Sequence, residues 1–171
     1  MRLSDAQKMY EADHNAIHVA GIPSLQLMQT AADHLSRAAE EIMGENRSAA
    51  IFCGSGNNGG DGIAAGANLL RRGATVRLFL VGSREKLTAD SRAMLAGLEA
   101  IGGALEDFDP EDESILPLLR DQGVIVDAMF GIGIIFISTM VAEVWRMLRL
   151  GVSQLTRRVS FATCENVRTT F

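Results

Sequence analysis

The sequence has little of what usually staples, anchors or charges a chain. It holds 2 cysteines in 171 residues, Cys53 and Cys164. Two thiols so far apart give neither a disulfide framework nor a metal-ligand spacing, which points to a reducing, cytoplasmic setting. Basic residues are not in excess: Lys and Arg number 16 against 21 Asp and Glu, a formal net charge of −5. That argues against a nucleic-acid polyanion as partner. No long hydrophobic run is present. The longest apolar stretch of the second half, Ile132 to Ile137, falls far short of the roughly 20 residues that span a bilayer. Met1 to Gln7 carry no apolar signal core, so no membrane association is expected. Tyrosine occurs once, as Tyr10 ahead of the first expected strand, so no Tyr/Lys pair of an NADP-dependent oxidoreductase can be drawn. The three histidines are His14, His18 and His34. His14 and His18 stand at i, i+4, which can bind a metal, but without a third ligand they read as a helix-surface pair.

What is there is a chain with 47% hydrophobic residues, enough for one domain spanning 1–171, as domains commonly run to roughly 100–200 residues. Ser4 and Gln7 have the spacing of a capping box and predict a first helix from Asp5 to Gly21. Pro23-Ser24 opens a second, with Ser24 as N-cap, an apolar face of Leu25, Met28, Ala32, Leu35, Ala39 and Ile42, and Gly44 as its end. The run 49–53 is short, apolar and continuous, as in a buried parallel strand. A glycine-rich loop follows, then a helix through Ile63, Ala67 and Leu70 closed by Gly73. A second strand covers Thr75–Val81, and Thr88 caps a helix reaching about Ile101. Asp107 to Glu113 reads as a solvated loop, Leu116 to Leu119 as a short helix, and Val124–Ala128 as a third strand. Strands alternating with helices imply βαβ units and a parallel sheet.

The chemistry concentrates at Gly54-Ser55-Gly56-Asn57-Asn58-Gly59-Gly60-Asp61-Gly62. Its first six residues fit G-x-G-x-x-G between a strand and a helix, where glycines allow a tight turn and close approach to a pyrophosphate. The helix N-terminus offers free N–H groups and a positive dipole end to an anion. The alternative is an elaborate turn that caps a helix. A dehydrogenase for NAD would place an acid near the end of the second strand. Ser83-Arg84 stands there instead, suited to a 2′-phosphate or simply solvated. Asp127 ends the third strand, and ligands of open α/β sheets collect at the carboxyl ends of strands. A carboxylate beside Asn carbonyls suits a hard cation; the alternative is an Asp that caps the next turn. Cys53 lies in buried strand text and is expected to be inert.

Taken together, Gly56 to Gly62 resembles the signature of the NAD(P)H-hydrate epimerases, the YjeF N-terminal-domain family. Val126-Asp127-Ala128-Met129-Phe130-Gly131-Ile132-Gly133 is similar to its second signature, and Gly21 to Met28 to its N-terminal helices. The resemblance covers about residues 1–134. It implies an α/β fold, a Rossmann-like three-layer α/β/α sandwich with a mostly parallel sheet behind two N-terminal helices. The activity it implies is interconversion of the R and S forms of hydrated NADH and NADPH, a nucleotide-repair reaction linked to an NAD(P)H-hydrate dehydratase and carried out by a homodimer. By the same resemblance, Asn57, Asn58, Gly59, Gly60 and Asp61 would bind the phosphate and ribose region of the hydrate. Asn58 and Asp127 would hold a potassium ion. Gly131, Ile132, Gly133 and Ile134 would begin a second substrate-binding loop.

The sequence departs from the family pattern after residue 134. Ile135-Phe136-Ile137 stands where the family carries small and charged residues. The later Asp-Ile-Pro-Ser-Gly segment, whose Asp is the family's acid/base, is not found, so no catalytic residue is assigned. Residues 135–171 are expected to be atypical, as a frameshift, a truncation or a degenerate homologue would make them. With its later strands missing, the sheet is expected to expose an edge after the third strand. Two functions follow: an epimerase, or a nucleotide-binding or assembly module of the same fold without chemistry.

Overall fold

The structure, a computed structural model, describes residues 19, 21–129 and 134–137, the last of these by backbone alone. The expected first helix and residues 138–171 lie outside the described residues. Helix α1 is Ser24–Met43, followed by strand β1, Ser48–Cys53, and helix α2, Asn57–Arg71. Strand β2 is Thr75–Leu80, helix α3 Ala89–Glu99, strand β3 Leu105–Asp107, helix α4 Ile115–Arg120, strand β4 Val124–Ala128 and strand β5 Ile134–Ile137. The sheet runs β3-β2-β1-β4-β5. β1 pairs parallel with β2 and β4, and β2 with β3, whereas β5 pairs antiparallel with β4.

Side-chain alternation along β1 explains the layers. Ala49, Ile51 and Cys53 point into a core completed by Ala39 and Met43 of α1, Ile63, Ala67 and Leu69 of α2, and Leu98 of α3. Ala50 and Phe52 point the other way, against Ile115 and Leu119 of α4. A strand covered on both faces must be apolar throughout, and all six residues of β1 are buried. The result is the expected three-layer α/β/α arrangement with a mostly parallel sheet.

Several local expectations are corrected. The N-cap of α1 is Pro23, not Ser24. The Pro23 carbonyl takes the amides of Gln26 and Leu27 at 2.9 and 3.2 Å, and Ser24 is already one residue inside the helix, with no side-chain cap. Leu25 and Ile42, placed on the apolar face, are 40% and 37% exposed; the buried stripe is narrower and runs through Met28, Ala32, Ser36, Ala39 and Met43. Strand β3 is an element that the sequence pattern does not mark. It has only three residues, too few for a period-2 pattern, and it is fastened by Arg77 pairing with Glu106 across β2 and by Arg84 with Asp107. Arg84 is exposed, as a solvated loop residue would be, and its guanidinium also reaches Asp107 at the sheet edge. The edge expected to be open beyond β4 is paired by β5, in register Asp127↔Ile134 to Val124↔Ile137. The β-branched and aromatic run that cannot make a phosphate loop is suited to a strand.

Candidate functional site

The glycine run is mostly helix. Only Gly54, Ser55 and Gly56 form the turn after β1; α2 starts at Asn57, with Gly56 as its N-cap. The amide of Gly60 donates to the Gly56 carbonyl at 3.2 Å, the first bond of the helix. The amides of Asn57, Asn58 and Gly59 therefore have no acceptor within α2, the standard condition of a helix N-terminus and one that favours anions.

The glycines inside α2 answer mainly to the protein itself. A Cβ on Gly59 would lie 1.7 Å from the Gly54 carbonyl oxygen, and one on Gly60 2.7 Å from Met28 of α1 and 2.8 Å from Ser91 Oγ of α3. One on Gly62 would lie 2.5 Å from Ala128 Cβ of β4. Each glycine inside a helix costs roughly 0.5–1 kcal/mol against alanine. Here that loss lets α1, α3 and the sheet close on the first turns of α2. Gly56 alone in this run meets nothing within 4 Å among the described residues, which leave its side of the turn open to a ligand.

The structure brings Asn57, Asn58 and Asp61 together. With Ser24, Leu27, Met28 and Asp90 they line a cleft of about 160 Å³ between the N-terminal ends of α1, α2 and α3. Asn57 is exposed, Asn58 and Asp61 are half-buried, and Gly59 and Gly60 are buried. Pockets for whole small molecules run to about 300–1,000 Å³, so this cleft fits one portion of a dinucleotide. Asp90 and Ser24 are contributions that the linear sequence does not mark, because they come from the starts of two other helices.

Asp127 is not part of that cleft lining. It ends β4 on the face shared by Ile125 and Met129, the α4 face. It is 5% exposed, and its Oδ1 accepts the Met129 amide at 2.9 Å. Burial pushes its carboxyl up to about 6, and the Met129 amide works in the opposite direction. Burial also raises the Cys53 thiol, with the Asp127 charge adding to it, in keeping with an inert cysteine. The ends of β1 and β4 are tied where Gly54 N–H donates to the Ala128 carbonyl at 3.2 Å. The chain runs from β1 to β2 on one side and returns to β4 on the other. The turn 54–56 and Asp127 therefore flank a topological switch point, where open α/β sheets bind ligands.

Of the second expected substrate loop, Gly131, Ile132 and Gly133 lie outside the described residues. Ile134 is the first residue of β5. Among the described residues, no group of three or more His, Cys, Asp or Glu is placed to hold a metal ion. No helix among them is long and apolar enough to cross a membrane.

The family profile described as YjeF-related protein N-terminus matches residues 24–146. The chain belongs to this family. Its relatives include a bifunctional NAD(P)H-hydrate repair enzyme Nnr of Thermofilum pendens, 34% identical over 135 residues, which covers 78% of this chain and 26% of that protein. An NAD(P)H-hydrate epimerase of Oenococcus oeni is 32% identical over 130 residues, 75% of this chain and 59% of that protein. Another, of Anaerococcus prevotii, is 33% identical over 138 residues, 78% of this chain and 62% of that protein. The chain thus spans about a quarter of the bifunctional relative and about three fifths of the epimerases. A crystal structure of yeast ynu0, YNL200c, superposes with a TM-score of 0.63 at 21% identity, over 76% of this chain and 57% of that one. This likeness speaks for the fold.

Proposed function

We propose that this YjeF-related domain epimerises hydrated NADH and NADPH, and that the switch point between β1 and β4 is where it binds them. The observation that carries the reading is the pairing of two features at the carboxyl ends of adjacent strands, β1 and β4. These are a helix N-terminus whose amides at Asn57, Asn58 and Gly59 stand outside the helix ladder, and a buried carboxylate at Asp127. Relatives named NAD(P)H-hydrate epimerase support it.

The two ends of the substrate call for different partners. The pyrophosphate suits the turn at Gly56 and the amides that follow it, where the dipole favours an anion and no side chain intervenes. The cleft beside it suits a ribose. Asp90 and the Asn57 and Asn58 amides line it; carboxylates repel phosphate but accept hydrogen bonds from a diol. Gly60 contributes shape, since its amide is used within the helix. Epimerisation inverts one stereocentre while the rest of the molecule stays put, so this anchoring is the part of the task that the described residues perform.

We further propose that Asn58 and Asp127, which carry the oxygen donors a monovalent cation takes, hold potassium. Asp127 is a carboxylate whose burial disfavours its charge, a penalty that a bound cation relieves, and Asn58 adds a half-buried amide at the first turn of α2. The ion would supply local positive charge beside the substrate's phosphates. The bifunctional relatives place a repair activity of this kind in one chain with a second one, which agrees with a dehydratase acting on the same substrate pool. A homodimer and a cytoplasmic location complete the proposal.

One observation favours a binding module without chemistry. Ile134, expected in a substrate loop, is held in β5 opposite Asp127. The two readings separate in one assay. Both epimers of hydrated NADH are mixed with an S-specific dehydratase, potassium and the purified chain, and the R form is followed by chromatography. Epimerase activity removes R faster than an enzyme-free control, and Asp127→Ala abolishes the difference. If R persists with a folded chain, the epimerase reading fails and the binding module stands.

A further inference from the structure

Helix α3 reaches across to the turn before α2 through two hydroxyls. Ser91, wholly buried, donates from Oγ to the Gly56 carbonyl at 2.9 Å. Thr88 Oγ1 lies 2.8 Å from Ser91 Oγ and accepts the Ser91 amide at 3.2 Å. With the Ser91 proton committed to Gly56, the proton between the two hydroxyls must come from Thr88. The direction is therefore set: Thr88 Oγ1–H to Ser91 Oγ–H to the Gly56 carbonyl. In parallel, the Thr88 amide donates to the Ser55 carbonyl at 3.2 Å.

A planar trans peptide points its C=O and N–H in opposite directions. Fixing the Ser55 carbonyl on α3 therefore fixes the Gly56 N–H away from it, and fixing the Gly56 carbonyl does the same for the Asn57 N–H. These are the first amides of the turn whose open side was described above. Capping α3 would need only the Thr88 oxygen and the Ser91 amide. The onward bond from Ser91 to a different helix's cap is surplus to that task. Gly60 makes it possible, since a Cβ there would lie 2.8 Å from Ser91 Oγ.

We propose that Thr88 and Ser91 are positioning residues that hold the Ser55–Gly56 peptides of the anion-binding turn, an inference that rests on the function proposed above. They touch no substrate; they aim the amides that do.

The test compares the parent chain with Ser91→Ala, Thr88→Val and Thr88→Ser. Ser91→Ala keeps the cap of α3 and cuts the bond to Gly56, Thr88→Val loses the cap but leaves Ser91 its own bond to Gly56, and Thr88→Ser keeps both. Amide exchange is read by NMR at Gly60, which is bonded to the Gly56 carbonyl, and at Ala64 to Leu69 as an internal reference. Inorganic pyrophosphate is titrated as the anion probe and followed on the amides of Gly56 to Gly59. In Ser91→Ala, Gly60 exchange should rise and pyrophosphate affinity fall, each by roughly 3- to 10-fold, the worth of one neutral hydrogen bond. The reference amides should stay unchanged. Thr88→Val, which keeps the Ser91 bond to Gly56, should raise Gly60 exchange less than Ser91→Ala does, and Thr88→Ser should match the parent chain. With hydrated NADPH as substrate, Ser91→Ala should raise KM and leave kcat nearly unchanged, with a smaller rise in Thr88→Val.

Unchanged Gly60 exchange in Ser91→Ala overturns the clasp. So does a rise shared equally by the reference amides, which would mark a loss of stability alone. Pyrophosphate that fails to bind the parent chain, or binds Ser91→Ala equally well, overturns its role in aiming the turn. A parent chain that binds pyrophosphate but turns over no hydrate sinks the epimerase reading and leaves the clasp standing.

Discussion

A methyl group at position 59 would sit inside the Gly54 carbonyl oxygen, and one at position 56 would meet none of the described residues. The two glycines read alike in the motif and should behave differently. Gly59→Ala must push the β1–α2 turn apart, and overpacking of this kind costs about 1–3 kcal/mol, occasionally more; the upper end is expected. Gly56→Ala should lose about 1 kcal/mol or less, the difference between two N-cap residues. Urea unfolding of both variants checks this, and equal losses would mean the close approach at Gly59 is not there.

Asp127 makes the other prediction at this scale. The folded carboxyl titrates at about 6 and its reference value is 3.8, so the folded chain holds this proton more tightly than the unfolded one. The stability this confers is complete below 3.8 and is lost as the pH rises through about 6. In potassium-free buffer the unfolding free energy should therefore fall by on the order of 3 kcal/mol between the two limits. Carboxyls held low, such as Asp33 beside Arg37 and Asp112 beside Ser114, act below this window and with the opposite sign. Asp127→Asn should flatten the profile between about pH 4 and 7; an unaltered slope in that variant would assign it elsewhere.

At the scale of elements, β1, β2 and β4 are legible in the sequence because each is a largely apolar run. In β1 and β4 that run is continuous, since both faces are covered. β3 is not legible, because its three residues are held by partners on other segments, chiefly Arg77 and Arg84. β5 falls where the family pattern leads one to expect a phosphate loop, and only its β-branched and aromatic residues speak for a strand. Its presence changes what β4 should do in solution. With β1 on one side and β5 on the other, β4 has partners for its backbone on both edges. Exchange along Val124–Ala128 should be slow at every amide that the two ladders use, while the edge strand β3 exchanges faster. If alternate amides of β4 exchange as fast as those of β3, then β5 does not pair with it.

At the scale of the whole molecule, the order β3-β2-β1-β4-β5 brings two motifs distant in sequence to neighbouring strand ends. The sequence by itself determined the layers, the parallel core strands and the two signatures, because these follow from periodicity and from residue types that few other structures need. It located Asn57, Asn58, Asp61 and Asp127 as the residues to watch. Only the tertiary structure decided how they are deployed. It wound the supposed loop into the first turns of α2, placed Asp127 on the α4 face outside the cleft of Asn58, and joined Ser91 to the Gly56 carbonyl. The physical reason is that such assignments depend on which backbones come within a methyl group's width of one another. That distance is set by packing between distant segments, and no local pattern encodes it.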